Sequence, residues 1–288
     1  MIITKREDVQ GLSLPTINVV ADGLPQAWEE SVKATWEMGA GIKTQYDKVG
    51  DPLSRDCALM LTIKDPFAEP RIHRGFPGGL KDLESYRQEV VDGIHDHWVD
   101  LSNPLTWEYT YHERIFRFDV PGIEEPVNQF DTIVEALVKE PHTRQAQAVL
   151  WKPWLDAGEK SPCCLQRIWF RIFDDVLVAN VHIRSNDAYK AAFMNIYAFS
   201  DLQRVVAERV SARLGRPIRV GQYNHFADSY HIYGSYFEQF EGFLKLIGNR
   251  PWEERTWRTE DVQDLIDEAR EEIAADLAAE KGRRSALP

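Results

Sequence analysis

Two adjacent cysteines stand in Ser161-Pro162-Cys163-Cys164-Leu165-Gln166, and Arg184-Ser185-Asn186-Asp187 begins twenty residues after the second. Asn195 lies eleven residues beyond that arginine, and Ser229-Tyr230-His231-Ile232-Tyr233 follows further on. Together these residue types offer a nucleophile, an anion clamp and readers of hydrogen-bonding patterns. A cysteine thiolate is strongly nucleophilic and can leave again by β-elimination. An arginine fork grips phosphate oxygens, and its charge lowers the pKa of a neighbouring thiol. An asparagine amide has one acceptor and two donors, so it can read a complementary hydrogen-bonding edge. Taken singly, each has a plainer reading. A buried cysteine is more often inert core, an arginine more often an ion-pair partner, and a His/Tyr pair at a strand end often a buried polar pair. The ordered set is far harder to obtain by chance.

Several elements must position these groups. A helix is expected over 27–36, broken at Gly39 to Gly41, with a turn at Asp51-Pro52. Residues 57–63 are a short apolar run suited to a buried strand, and 70–79 is a loop rich in Pro and Gly. Helical spacing of apolar residues recurs over 80–91 and 130–139. From residue 146 strands are expected over 146–151, 166–172 and 176–183, with Asp174-Asp175 as a hairpin turn. A long helix over 195–214 ends at Gly215, a strand follows over 218–226, and a helix over 236–247. An acidic, alanine-rich segment, about 258–282, reads as a charged C-terminal helix. The interleaved order predicts an α+β fold, a large sheet with packed helices, in one domain over 1–288.

Composition narrows the function further. The chain has 288 residues, 43% hydrophobic, ample for a large core. Its net charge of −12 argues against a nucleic-acid polymer, which needs a basic stripe, but leaves a mononucleotide open. No apolar run reaches the roughly 18 to 20 residues of a membrane helix, so no membrane partner is expected. Met1 to Asp8 lacks the regions of a signal peptide, and three cysteines make no disulfide framework; a cytoplasmic location is expected. Cys163 and Cys164 have no second pair at ligand spacing, so no metal is expected.

The ordered motifs resemble the thymidylate synthase superfamily, and in detail its pyrimidine nucleotide hydroxymethylases. The likeness covers about residues 130 to 245 well and the N-terminal half at isolated points. It implies a thymidylate synthase-like mixed sheet, a twofold dimer through that sheet, and methylenetetrahydrofolate as one-carbon donor without a metal. By the intervals to Arg184 and back to Trp151, Cys164 takes the nucleophile's place, and Cys163 stands where the family has proline. Arg184 and Ser185 are then phosphate ligands. Arg55, in Leu53-Ser54-Arg55-Asp56, resembles the arginine of an N-terminal phosphate loop. Arg144 resembles the arginine that reaches into the neighbouring subunit's site, although Gln145 replaces the usual second arginine. Asn195 falls at the base-reading position, where asparagine goes with uracil and aspartate with cytosine. His231 and Tyr233 fall where the sugar 3′-hydroxyl is read, and Asp187 where the pterin is bound. For the general acid/base the helix over 80–91 offers Glu84 and Glu89, with Glu89 preferred because Glu-Val-Val resembles Glu-Leu-Leu. Tyr109 is assigned to the catalytic set and Trp98 to the folate, within an aromatic group that includes Trp107 and Tyr111.

Departures from the family bear on the reaction. Ordinary thymidylate synthases have histidine after the nucleophile, and here Leu165 follows it. Where they keep a glutamine, Ile168-Trp169-Phe170 stands, and the sequence ends Arg283-Arg284-Ser285-Ala286-Leu287-Pro288 in place of an apolar closing tail. Such a tail excludes water while hydride moves, so its lack favours water addition and a hydroxymethyl product. The expectation is C5 hydroxymethylation of a pyrimidine nucleoside monophosphate, uracil type favoured over dCMP or CMP. A divergent synthase making dTMP from dUMP is the alternative, and a non-catalytic nucleotide-binding relative the third reading.

Overall fold

The computed structural model describes residues 2–6, 14–103 and 105–285. The expected tail residues Ala286, Leu287 and Pro288 lie outside the described residues, as do Met1 and Glu7 to Ser13. The chain opens with β1 (Ile2–Arg6), β2 (Thr16–Ala21), α1 (Leu24–Met38), β3 (Ala40–Ile42) and β4 (Ser54–Ile63). Next come β5 (Ile72–His73), α2 (Leu80–Asp92), α3 (Tyr111–Phe116), α4 (Gln129–Lys139), β6 (Gln147–Val149) and α5 (Pro153–Asp156). The remainder is β7 (Leu165–Phe173), β8 (Val176–Asp187), α6 (Ala192–Leu214), β9 (Arg219–Ile232), α7 (Phe237–Asn249), α8 (Trp252–Arg255), β10 (Thr256–Trp257) and α9 (Gln263–Ser285).

Seven strands follow the order β1-β2-β4-β9-β8-β7-β6, and β3 adds an eighth on β4. The sheet is mixed: β2/β4 and β8/β9 are parallel, the other pairs antiparallel. Parallel β8 and β9 need a crossover, which α6 supplies. Period-two alternation gives β4 one buried face, with Leu59, Leu61 and Ile63, and one open face, with Met60 at 42% exposure. On the open face Thr62, Asn224 and Asn180 are hydrogen-bonded in a row across β4, β9 and β8, at 2.8 and 2.7 Å. Helices α1 and α6 cover the buried face, and α2 lies between α6 and α9.

Local chemistry sets the boundaries. Asp174 and Asp175 have φ of 47° and 59°, the two left-handed residues of a tight hairpin between β7 and β8. Helix α6 stops at Gly215, whose φ of 67° suits glycine and whose N–H bonds Ser211 O at 2.9 Å. At Gly39, the end of α1, a Cβ would come within 2.4 Å of Thr35 O, so a side chain is shut out.

The α+β class with a large mixed sheet is what the sequence predicts, and most elements fall where expected. Three differences touch the site. Strand β8 runs four residues past 183 and β9 six past 226, so Arg184 to Asp187 and Ser229 to His231 sit on paired strands. Strand β6 is only Gln147–Val149, and α9 starts at Gln263 after a short 3-10 turn at Thr259–Val262. Strand β2 lies in what reads as an opening segment. Its partner β4 is distant in sequence, and Ile17, Val19 and Ala21 are buried where the paired strands meet α1.

Candidate active site

Cys164 sits immediately before β7, and Arg184 on β8 lies opposite it across the hairpin. The Arg184 backbone N–H bonds the Cys164 carbonyl at 2.9 Å. Its guanidinium donates from Nε to Cys163 O at 3.0 Å and from Nη2 to Pro162 O at 2.5 Å, which leaves Nη2 3.5 Å from Cys164 Sγ. Burial raises the Cys164 thiol pKa, while the Arg184 charge and the Tyr109 hydroxyl pull against that rise. Cys163 faces the other way. It is fully buried, its Sγ donates to Leu165 O at 3.1 Å, and burial pushes its pKa far above the ordinary thiol value. Two neighbouring cysteines thus differ in surroundings, and only Cys164 borders a cavity.

That cavity has a volume of about 400 Å³. It brings together Cys164, Arg184, Ser185, Asp187, Asn195, Tyr109, His231 and Tyr233, from β8, β9, α6, the residue before β7, the residue after β9 and the loop before α3. The α1 indole of Trp28 anchors the region by donating to Ala188 O at 2.8 Å. Asp187 accepts from the backbone N–H groups of Tyr189 (3.0 Å) and Lys190 (2.8 Å), and burial raises its pKa. Asn195, in the first turn of α6, is 5% exposed, and its Oδ1 accepts the Tyr86 hydroxyl at 2.5 Å. His231 is 4% exposed, is held down to about 4 by burial, and meets the Tyr233 ring edge-on at 4.6 Å. Neither Tyr46 nor Tyr86, both lining residues, stands out in the sequence; each reaches the wall through an element remote from the Cys–Arg motif.

A second cavity, about 240 Å³, shares Tyr86, Tyr109 and Tyr111 with the first and adds Glu89, Trp107 and Thr110. Glu89 accepts from His95 Nδ1 at 2.8 Å, and burial raises its pKa against the pull of that histidine. Glu84 faces elsewhere. Its carboxylate is bound by Arg87, Gln88 and Arg270 of α9, its pKa is lowered, and it borders neither cavity. Trp98 stands one ring behind the second cavity, edge-on to Trp107 at 4.8 Å, with Nε1 donating to Glu280 at 2.8 Å. Arg55, on β4, and Arg144, exposed before β6, do not line the first cavity. Among the described residues no group of three or more His, Cys, Asp or Glu could hold a metal ion. No helix among them is long and apolar enough to cross a membrane.

Comparison with known proteins gives this arrangement a context. A "Putative thymidylate synthase" of Methanocaldococcus jannaschii is 30% identical over 212 residues, 72% of this chain and 86% of that protein. A "Deoxyuridylate hydroxymethyltransferase" of Bacillus phage SP01 is 29% identical over 151 residues, 50% of this chain and 38% of that protein. The solved thermostable thymidylate synthase A of Bacillus subtilis shares the fold, with a TM-score of 0.58 at 16% identity, covering 77% of this chain and 84% of that one. The thymidylate synthase family model matches residues 76–271, a span that takes in Cys164, Arg184, Asn195 and His231. With that match added to the likeness over most of the archaeal protein, the chain belongs to the thymidylate synthase family and is a one-carbon transferase.

Proposed function

We propose that the protein hydroxymethylates C5 of a pyrimidine nucleoside monophosphate, a uracil nucleotide by preference, with Cys164 as nucleophile. The observation that carries this is the Cys164 thiol 3.5 Å from the Arg184 guanidinium, in a cavity that Asn195, His231 and Tyr233 also line. The adjoining cavity offers a folate's flat pterin aromatic rings to lie against and Glu89 to accept an N–H, while Asp187 lines the first cavity beside it. Methylenetetrahydrofolate bound there supplies an electrophilic one-carbon unit.

Cys164 forms an S–C6 bond, and the C5=C6 electron pair moves toward C4–O4, which makes C5 nucleophilic. Arg184 favours the thiolate and Ser185 adds a hydroxyl to the phosphate site. The Asn195 amide binds the base edge, and His231 and Tyr233 bind the sugar. Glu89, whose raised pKa keeps a proton within reach, handles protons at the base and at the one-carbon adduct. Once C5 carries the new carbon and has lost its proton, the tetrahydrofolate nitrogen leaves with the C–N electron pair and an exocyclic methylene remains; water adds to it, and the thiolate leaves as C5=C6 is restored.

Leu165 beside the nucleophile and the likeness to a phage deoxyuridylate hydroxymethyltransferase favour water over hydride at that last step. The names of the archaeal relatives favour the second reading, a divergent synthase making dTMP. Incubation with dUMP, dCMP or CMP and methylenetetrahydrofolate separates the two. Hydroxymethylation adds the mass of CH₂O with no rise in dihydrofolate absorbance. A product heavier by CH₂, with matching dihydrofolate, makes the protein a synthase. The reading also includes a twofold dimer through the open sheet face, with Arg144 reaching the partner's site. Mixing Arg144→Ala with Cys164→Ser subunits then restores part of the activity, and no recovery despite subunit exchange rejects the shared site. A cytoplasmic location belongs to the same reading.

A further inference from the structure

Asp56, Ser229 and His231 form a hydrogen-bonded row across two neighbouring strands beside the first cavity. Asp56 on β4 pairs in register with His231 on β9, and Ser229 stands two residues before that histidine. The Ser229 hydroxyl donates to Asp56 Oδ2 at 2.8 Å, and the same oxygen lies 3.1 Å from His231 Nδ1. At the far end His231 Nε2 is buried with no hydrogen-bond partner in the protein, although the residue lines the cavity.

With Asp56 ionised, one order of protons satisfies this row. An ionised carboxylate accepts and never donates, so the single Ser229 proton goes to Asp56. The Ser229 oxygen is then free to accept, and the proton it accepts is the one on His231 Nδ1. A neutral imidazole carries one N–H, so a proton at Nδ1 leaves Nε2 as a bare lone pair. Burial keeps His231 neutral, with its pKa near 4, while Asp56, pushed up to about 6, is ionised at pH 8. A buried imidazole nitrogen without a partner is uncommon, because an unmade hydrogen bond costs free energy. A donor on a ligand in the adjoining cavity would supply the bond that the protein leaves unmade at Nε2.

We infer that Asp56 and Ser229 are positioning residues that hold His231 in its Nδ1–H form, so that Nε2 accepts a hydrogen bond from a sugar hydroxyl of the nucleotide. The proton order stands on the row itself, whereas the sugar as donor rests on the nucleotide reading of the cavity. A donor is demanded at this point, so an ether or a fluorine in the hydroxyl's place leaves Nε2 unsatisfied.

Histidine-selective ¹⁵N NMR at pH 8 tests the first half on the wild-type protein, with the His231 signals assigned by their loss in His231→Gln. Nδ1 protonated and Nε2 bare is the expected pattern; an Nε2–H ring overturns the inference. The second half is read by calorimetry with dUMP and its 3′-fluoro-3′-deoxy analogue. Wild type is expected to bind the fluoro compound at least tenfold more weakly. Ser229→Ala, which frees the ring to present Nε2–H, is expected to narrow that gap at least threefold. An unchanged gap in Ser229→Ala overturns the positioning role. Failure of the wild type to bind either nucleotide overturns the nucleotide reading and the sugar assignment with it, and the NMR pattern distinguishes that failure from a wrong proton order.

Discussion

Replacing Arg184 by Gln should raise the pKa of the Cys164 thiol by about one to two units, and the geometry sets the size of the change. The guanidinium Nη2 lies 3.5 Å from Sγ. Unit charges at that distance interact by roughly 5 kcal/mol at an effective dielectric of 20 and by about 1 kcal/mol in bulk water. Cys164 is only partly buried, so about 1.5 to 3 kcal/mol is the reasonable range, and one pKa unit corresponds to about 1.4 kcal/mol. The sign is fixed by competing effects: burial raises the thiol, Arg184 opposes it, and without the arginine burial acts with less resistance. The assay is the rate of iodoacetamide alkylation from pH 6 to 10.5, with the modified peptide identified by mass. Cys57 and Cys163 are fully buried, and burial pushes the Cys57 thiol to about 12, so the reaction reports Cys164. At pH 7.5 the variant should react roughly ten to a hundred times more slowly, following one to two units of pKa. Arg184→Lys keeps the charge and should fall between the two. A Gln variant that retains its thermal stability and an unmoved alkylation midpoint would refute the electrostatic argument.

Cys164→Ser should abolish turnover while retaining nucleotide binding, whereas Cys163→Ser, whose side chain bonds only Leu165 O, should keep substantial activity; kinetics and calorimetry on both check this. Tyr86→Phe removes the hydroxyl that donates to Asn195 Oδ1, so the amide loses its fixed orientation. The ratio of kcat/KM for dUMP to that for dCMP should drop about tenfold, and Asn195→Asp should shift preference further toward cytosine. An unchanged ratio in both variants would mean that other residues read the base. Asp56 titrates at about 6, above its ordinary 3.8, because of burial. Its contribution is fully present below about 3.8 and is lost as pH rises through 6, when a buried charge must form. Urea unfolding should therefore show wild type losing roughly 2 to 3 kcal/mol relative to Asp56→Asn between pH 4.5 and pH 8. A constant difference would put Asp56 near its ordinary pKa.

Local geometry decides how much of the site is legible in the sequence. The interval from Cys164 to Arg184 works as a signal because it is one antiparallel hairpin. Strand β7 runs out, Asp174 and Asp175 turn the chain, and β8 returns until Arg184 N meets Cys164 O. Asn195 follows because a short turn leads from Asp187 into the first turn of α6. Glu84 and Glu89 mark where such reasoning ends. Five residues on a helix are separated by about 140° around its axis, so the two carboxylates point to different neighbours. Which neighbour is Arg270 of α9 and which is the aromatic cavity depends on packing that pairs residues 186 apart in sequence.

The same limit explains why the tyrosines and the Asp56 row emerge only with the structure. Tyr86 reaches Asn195 across 109 residues, and Ser229 reaches Asp56 across 173. An aspartate in the middle of an apolar strand is visible in the sequence as an oddity, and burying it costs free energy that the strand alone does not return. Its placement follows from β4 pairing with β9, which sets its carboxylate against the Ser229 hydroxyl and, through it, against His231. Sequence spacing thus identifies the groups that line the cavity around Cys164, while long-range strand and helix pairing supplies the groups hydrogen-bonded to them. If the orienting groups set specificity, Tyr86→Phe and Ser229→Ala will alter which nucleotide is bound more than they alter the reactivity of the Cys164 thiol. Iodoacetamide rates that fall in parallel with binding in those two variants would argue instead that the site behaves as one rigid unit.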